Sequence, residues 1–232
     1  MIQLRKSKDR GYADHGWLRS FHTFSFADYY DPAHMGHSVL RVINEDWIAP
    51  GAGFPMHAHK DMEIVTYVTE GSLEHKDTLG SHGQIQHGEI QQMSAGTGIR
   101  HSEYNPDPKN PTQLLQIWIL PDRSGHQPKY QQVNLSDKLS SETLVLIASP
   151  NGENNSLLIH QNAKIFAGKF TEAQTIQLPL CQSRHGWIQW ISGEGELNKT
   201  PLRPGDAVAM SQEETPHLQV QAGAHFLFFD LP

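Results

Sequence analysis

Short stretches rich in β-branched and aromatic residues recur along the chain, and glycine, proline or Asp/Asn turns separate them roughly every eight to twelve residues. Such spacing is typical of β-sandwiches and barrels, and no amphipathic helix of convincing length interrupts it. Short helical turns are predicted only near Ser136–Leu139 and Thr171–Gln174. The chain is therefore expected to be all-β. The clearest predicted strands are 64–68, 114–120, 187–191 and 218–222, the last with one face exposed to water.

A weak internal repeat indicates two similar β domains. Gly88–Ser94 (GEIQQMS) resembles Gly205–Ser211 (GDAVAMS), and a histidine follows each copy, His101 in one case and His217 in the other. The polar stretch 122–138 between the copies is the expected boundary.

Charge and cysteine content exclude several function classes. The 25 acidic and 18 basic residues leave a formal net charge of −7, whereas a duplex-binding domain normally carries a basic excess. No apolar run reaches the roughly 18 residues of a membrane helix, and no signal-peptide pattern opens the chain. The single cysteine, Cys181, cannot close an internal disulfide and is expected to be a small buried hydrophobe. We expect a cytoplasmic protein without direct nucleic-acid or membrane binding.

Histidines are the unusual feature of the first half of the chain, and His57-Ala58-His59 is the sharpest motif among them. On a strand, residues i and i+2 point to the same side, so both imidazoles would face one cavity. His101 and Glu103 form a second pair with this spacing. Two such pairs on neighbouring antiparallel strands would supply three nitrogens and one oxygen, a ligand set that suits a divalent first-row transition metal.

These motifs resemble the two conserved motifs of the cupin superfamily, G-x5-H-x-H-x3–4-E-x6-G and G-x5-P-x-G-x2-H-x3-N. There are departures: seven residues separate Glu63 from Gly71, Ser94 replaces the proline, and two extra residues precede His101. The departures match the pirins and pirin-like quercetin dioxygenases. The segments that carry this resemblance are 10–18, 23–26, 30–32, 40–44, 57–63 and 94–105.

The resemblance implies a bicupin, with two tandem β-barrel (double-stranded β-helix, or jelly-roll) domains and few short helices. It implies one metal held by His57, His59, His101 and Glu103. Fe(II) is the usual metal, and copper, nickel, manganese and zinc have been associated with relatives. It also implies 2,3-dioxygenation of a flavonol such as quercetin, with O2 consumed, CO released and Glu103 as candidate base. The alternative is a metal- or redox-sensing regulator that acts by protein contact without turnover. A monomer is expected.

The second half of the repeat lacks the metal-binding residues. Aligning Gly193 with Gly71 places Pro179-Leu180-Cys181 where His57-Ala58-His59 stands in the first half, and no carboxylate follows His217 at the i+2 position. We therefore predict an N-terminal metal-binding cupin domain, 1–133, and a degenerate C-terminal cupin domain without a metal site, 134–232.

Other candidates near the first motif receive structural interpretations. Glu63 is expected to hydrogen-bond a ligand imidazole or to face away from the metal rather than to bind it. Packing or surface roles are expected for several further residues, with an approach to the site left open for the first three: His22, His34, His75, His15, Trp17, Phe24 and Phe26. Arg100 is expected to be an ion-pair partner, with a substrate-anion role also open.

Overall fold

The computed structural model describes residues 1–141, 143–213 and 215–232, and almost all of its regular structure is β-strand. The all-β prediction is confirmed. The strands in chain order are β1 (Ile2–Arg5), β2 (Gly11–Asp14), β3 (Leu18–His22), β4 (Leu40–Ile48), β5 (Gly53–His59), β6 (Glu63–Glu70), β7 (Ser72–Asp77), β8 (His82–Gln86), β9 (Glu89–Ser94), β10 (Ile99–Tyr104), β11 (Thr112–Ile119), β12 (Lys129–Asn134), β13 (Val145–Ser149), β14 (Leu157–Leu158), β15 (Lys164–Lys169), β16 (Gln174–Gln177), β17 (His185–Ser192), β18 (Gly195–Leu197), β19 (Thr200–Leu202), β20 (Ala207–Ser211), β21 (His217–Val220) and β22 (His225–Leu231). The helices are α1 (Ser136–Ser141) and two 3-10 turns, Ser7–Asp9 and Glu153–Asn155. No helix in the described part of the chain has the length and hydropathy needed to span a membrane.

The chain divides into two compact units. The first unit comprises Gly11–Leu135 and Leu157–Gln161, and the second comprises Met1–Arg10, Ser136–Ser156 and Asn162–Pro232. The domain boundary between residues 133 and 134 stays a prediction.

The first unit consists of two antiparallel sheets with a core between them. One is seven-stranded, in the order β12-β9-β6-β11-β4-β3-β2, and the other is four-stranded, in the order β5-β10-β7-β8. Leu73 and Ile85 on the smaller sheet pack with Val68 and Leu114 on the larger one, and all four are buried. Burial of these aliphatic side chains is what holds the two sheets together.

The second unit repeats this topology with a different interior. Its larger sheet contains β1-β20-β17-β22-β15-β13, and its smaller sheet has the order β16-β21-β18-β19. Large aromatic side chains fill the space between the sheets, with Trp190 stacked on Phe226 at 5.2 Å and Phe170 at 5.9 Å from the same ring. The barrel of the second unit is therefore a packed core.

The sequence repeat coincides with equivalent strands. β9 and β20 hold the same place in the two sheet orders. Gly88 and Gly205 precede them with φ of 84° and 82°, the left-handed region that favours glycine. Each repeat copy thus encodes a tight turn followed by a buried strand.

Most predictions of secondary structure agree with the structure, but the helical turn at Thr171–Gln174 and the burial of Cys181 are wrong. The predicted strands coincide with β6, β11, β17 and β21, and the helical turn after Ser136 is α1. Thr171–Gln174 is not helical, because Gln174 is the first residue of β16 and pairs with Val220 of β21. Cys181 is exposed rather than buried, because it lies in the loop between β16 and β17, where the preceding Leu180 is the residue that packs into the core.

The strand register also corrects the alignment of the two halves. His57 lies opposite His101 in the first unit, and Gln177 lies opposite His217 in the second. The counterpart of His57 is therefore Gln177, two residues from Pro179, and not Pro179 itself.

Candidate metal centre

Antiparallel pairing of β5 with β10 brings three predicted histidines together. His101 lies directly opposite His57, and Ile99 lies opposite His59. The ring centroids are 4.5 Å apart for His57 and His101, 4.7 Å for His57 and His59, and 4.9 Å for His59 and His101. One nitrogen of each ring lies within 4.8 Å of the other two. Three imidazoles therefore converge on one point, as the i, i+2 spacing predicts.

The free lone pairs of these rings are identified by their hydrogen bonds. His57 Nδ1 lies 2.8 Å from the carbonyl oxygen of Pro55, which can only accept, so Nδ1 carries the proton and Nε2 keeps its lone pair. His101 Nε2 is buried and has no hydrogen-bond partner among the described residues. A buried polar atom without a partner is costly. A metal ion at this point would relieve that cost.

Burial favours the neutral form of two of these histidines, His59 and His101. Loss of hydration, with a contribution from the neighbouring His57, lowers the pKa of His59 to about 4. Burial and the same neighbour also lower the pKa of His101 well below the ordinary value. Neutral imidazole is the form that binds metal, because protonation removes the donor lone pair.

Glu103 is buried beside this cluster and is held by neutral hydrogen-bond donors. One carboxylate oxygen lies within 4.8 Å of ligand nitrogens of His75 and His101, in a second group that shares His101 with the first but contains neither His57 nor His59. The amide of Gln91 donates to Oε1 at 2.9 Å, and the amide of Gln116 donates to Oε2 at 3.0 Å. Burial raises the pKa of Glu103, opposed by the nearby His75 and His57 and by hydrogen bonds from Thr66 and Gln116. A carboxylate of this kind has more affinity for a proton than an exposed one.

A cavity of about 690 Å³ opens onto His57, His59 and Glu103. Its walls carry the aromatic residues Tyr12, Trp17, Phe26, Tyr29, Phe54 and Trp118. His59 meets Trp118 edge to face at 5.1 Å, so the imidazole cluster lies directly against this wall. A largely apolar cavity with a few convergent polar groups is the usual form of a small-molecule site.

Asp46 is a second acidic group in the cavity wall. Its side chain is buried, and its Oδ1 has no hydrogen-bond partner within the described part of the chain. Burial raises the pKa of Asp46 to about 7, with further increases from Glu103 and Glu45 and a decrease from a hydrogen bond with Ser20.

The structure places the other predicted residues in different surroundings. Glu63 faces away from the three histidines, which is the second of the two arrangements expected for it. Its Oε2 accepts hydrogen bonds from Ser94 Oγ at 2.8 Å and from Gln92 Nε2 at 2.6 Å, and its Oε1 lies 3.2 Å from His160 Nδ1. Phe24 is buried in the core as predicted.

Phe26 lines the cavity and packs edge to face on Trp118 at 5.5 Å, so its assignment to the core is wrong. His15, Trp17 and His22 also line the cavity, and Trp17 additionally packs edge to face on Phe54 at 5.1 Å. His34 instead bonds to Asp31 at 2.7 Å.

Sequence reasoning missed the partners of the predicted ligands. Asp77, Gln91 and Gln116 received no role, yet Asp77 binds His75, and the two glutamines bind Glu103. The i, i+2 spacing of His75 and Asp77 is a signal that could have drawn attention to them. Asp46 shares this spacing with Asn44, and both line the cavity.

Comparison with known proteins connects this site to a family. Residues 3–119 match the family model described as Pirin. The Escherichia coli K12 protein named quercetin 2,3-dioxygenase is 45% identical over 232 residues, covering 100% of this chain and 99% of the relative. This chain belongs to the pirin family. Residues 146–231 match the model described as Quercetinase C-terminal cupin domain, which confirms the bicupin architecture of this pirin.

Solved structures agree with the family assignment. The crystal structure of bacterial pirin YhhW in complex with nickel(II), from Escherichia coli, has a TM-score of 0.95 and 44% identity, and the match covers 100% of this pirin and 99% of that chain. Protein YhaK from Escherichia coli has a TM-score of 0.73 and 27% identity, with coverage of 96% and 98%.

Proposed function

We propose that this pirin is a metal-dependent dioxygenase that cleaves flavonols such as quercetin. The observation that carries the proposal is the convergence of three imidazoles at the wall of an aromatic cavity, with the buried carboxylate of Glu103 beside them. The full-length relative named quercetin 2,3-dioxygenase supports this substrate class.

The residues present fit a divalent transition metal. His57, His59 and His101 would supply three nitrogen ligands, and Glu103 the oxygen ligand. The unpartnered Nε2 of buried His101 and the free Nε2 of His57 are the observations that support the fit. Three imidazoles and one carboxylate suit iron, nickel, copper, manganese or zinc, so the donor set does not select among them. Fe(II) is our proposal from the family resemblance, and nickel(II) is the metal bound by the related YhhW.

The cavity residues account for substrate binding. A flavonol is flat and aromatic, and the rings of Phe54, Trp118 and Phe26 offer apolar and edge-to-face contacts to such a molecule. The volume of about 690 Å³ is within the range of small-molecule pockets. Apolar walls exclude water from the reacting end and strengthen polar interactions there.

Glu103 is the proposed general base. When bound, the metal supplies Lewis acidity and a fixed point that orients the substrate oxygen. The Glu103 carboxylate then takes the proton of the flavonol 3-hydroxyl, for which its raised pKa is suited. The amides of Gln91 and Gln116 hold the carboxylate and cannot take that proton themselves. The overall reaction consumes one O2 and releases CO and a depside.

Oxygen uptake and loss of flavonol absorbance test the proposal. The protein is loaded anaerobically with Fe(II), and separately with nickel, copper or manganese, and metal content is measured before quercetin and O2 are added. His101→Ala is expected to lose bound metal and turnover. His217→Ala is the matched control, because His217 lies on β21, the counterpart of β10, and is exposed. Absence of turnover with every metal, in protein whose site is filled, would refute the proposal and favour a regulatory pirin that acts through a protein partner.

A further inference from the structure

Two buried residues form a hydrogen-bonded chain behind His101. They lie on β7, where Asp77 is opposite His101 and His75 is opposite Glu103. The His75 and Asp77 side chains are both 0% exposed. His75 Nε2 lies 2.9 Å from Asp77 Oδ2, and His75 Nδ1 lies 3.5 Å from His101 Nδ1. The order of contact is therefore carboxylate, imidazole, imidazole.

Only one arrangement of protons leaves His101 ready to bind a metal through Nε2. Burial opposes ionisation of Asp77, but hydrogen bonds from His75 and from Ser81 outweigh it and lower the pKa of the carboxyl. An ionised carboxylate only accepts, so His75 Nε2 carries a proton and donates it. His75 Nδ1, the ring nitrogen that faces away from Asp77, is then the acceptor for the Nδ1–H of His101, 3.5 Å away. This arrangement places the lone pair of His101 on Nε2, the buried atom for which the described residues offer no hydrogen-bond partner.

We propose that Asp77 and His75 are positioning residues that hold His101 in its Nδ1–H tautomer, with the Nε2 lone pair directed at the metal. The inference rests on the proposed function only in taking a metal ion as the ligand of His101 Nε2; the tautomer itself follows from the hydrogen bonds. The arrangement extends the general rule that a carboxylate or carbonyl behind a ligand histidine sets its tautomer and orientation.

Asp77 and His75 are each held in place by further contacts. Asp77 Oδ1 accepts hydrogen bonds from the backbone N–H groups of Leu79 at 2.9 Å and Ser81 at 3.0 Å, which leaves Oδ2 for His75. Tyr130 stacks on the His75 ring, with centroids 4.5 Å apart and an interplanar angle of 29°. The turn that follows β7 thus fixes which carboxylate oxygen of Asp77 accepts the hydrogen bond from His75.

This geometry predicts that Asp77→Asn reverses the direction of hydrogen-bond donation among residues 77, 75 and 101. The new side chain must keep Oδ1 toward the backbone N–H groups, so its amide nitrogen faces His75 Nε2 and donates to it. His75 then carries its proton on Nδ1 and donates to His101 Nδ1. The proton of His101 moves to Nε2, where it blocks the metal. The substitution changes one atom and no volume, so packing is preserved.

Two measurements test the proposal. Long-range ¹H–¹⁵N NMR of the imidazole rings in the metal-free protein is expected to show His101 protonated on Nδ1 in the wild type and on Nε2 in Asp77→Asn. Titration with Ni(II) alone is expected to show about 10- to 100-fold weaker binding by Asp77→Asn. Asp107→Asn is the control, because Asp107 Oδ1 caps an exposed turn in the same way, through the N–H groups of Lys109 and Asn110.

Each result decides the question. His101 protonated on Nε2 in the wild type, or Ni(II) affinity for Asp77→Asn equal to that of Asp107→Asn, would overturn the proposal. If Asp77→Asn does not fold, the tautomer of the wild type still decides. Failure of both the wild type and Asp107→Asn to bind any metal would refute the proposed metal centre, while the tautomer measurement on the metal-free protein would remain a separate test of the chain.

Discussion

Asp46 offers a quantitative test of the electrostatics of the cavity. The ordinary pKa of an aspartate, 3.8, is raised to about 7 at this position, mainly by burial. A raised carboxyl pKa means that the folded protein binds the proton more tightly than the unfolded chain does. Stability is therefore full below the unfolded pKa and falls as pH rises toward the folded pKa. Asp46→Asn removes this ionisable group and should therefore remove the loss of folding stability as pH rises.

The magnitude follows from the size of the shift. About three pKa units at roughly 1.4 kcal/mol each give an advantage for Asp46→Asn of about 4 kcal/mol at pH 8. At pH 5 the Asp46 carboxyl is mostly ionised in the unfolded chain but still protonated in the folded protein, and the same relation gives about 2 kcal/mol. The thermal midpoint of the variant should then exceed that of the wild type by roughly 5 °C at pH 5 and 12 °C at pH 8.

Thermal unfolding of the metal-free proteins, followed by circular dichroism at the two pH values, measures the difference. The metal-free state is required because a bound cation near Glu103 would offset the repulsion that acts on Asp46. Asp107→Asn is the control. Hydrogen bonds from Lys109 and Asn110 lower the pKa of Asp107, so this carboxyl stays ionised from pH 5 to 8, and the effect of its removal should not change. An equal gap at both pH values for Asp46→Asn would refute the reasoning.

Three further predictions concern the metal, the base and the second core. His57→Ala should abolish bound metal while His217→Ala retains it, and equal loss in both variants by elemental analysis would contradict a single site. Glu103→Gln, loaded with metal, should lose turnover of quercetin because the amide cannot take the hydroxyl proton, and normal oxygen uptake would exclude it as the base. Phe226→Ala should lower the free energy of unfolding by about 3–5 kcal/mol in chemical denaturation, because the ring fills the centre of the second barrel. Its metal content at a permissive temperature should be unchanged, because Phe226 is not among the proposed ligands, and loss of metal by a folded variant would contradict this prediction.

Much of the fold could be predicted because local composition and burial agree along most strands. β6 and β17 are rich in β-branched and aromatic residues, a glycine follows each, and each is buried over most of its length. The error at Thr171–Gln174 arose because a four-residue pattern carries little information and strand pairing decides its conformation. Cys181 was misassigned because residue type alone predicted burial, whereas the residue lies in the loop between β16 and β17 and is exposed.

The candidate site was predicted where spacing alone carries the information. His57 and His59 lie two apart on one strand, so one face follows from the pleat, and the same holds for His101 and Glu103. His75 and Asp77 obey the same spacing. Their role depends on β7 lying beside β10 in one particular register, and no property of the short segment itself specifies that register.

The sequence by itself therefore determined the all-β architecture, the two-fold repeat, the family and the four candidate ligands, because these depend on short-range patterns and on motifs read in order. Only the tertiary structure decided what surrounds those ligands. The raised pKa of Asp46, the amides on Glu103 and the chain from Asp77 to His101 depend on burial and on strand register. Both arise when segments distant in sequence pack together. The pKa and the tautomer of a buried group then depend on neighbouring residues that cannot be identified from the local sequence.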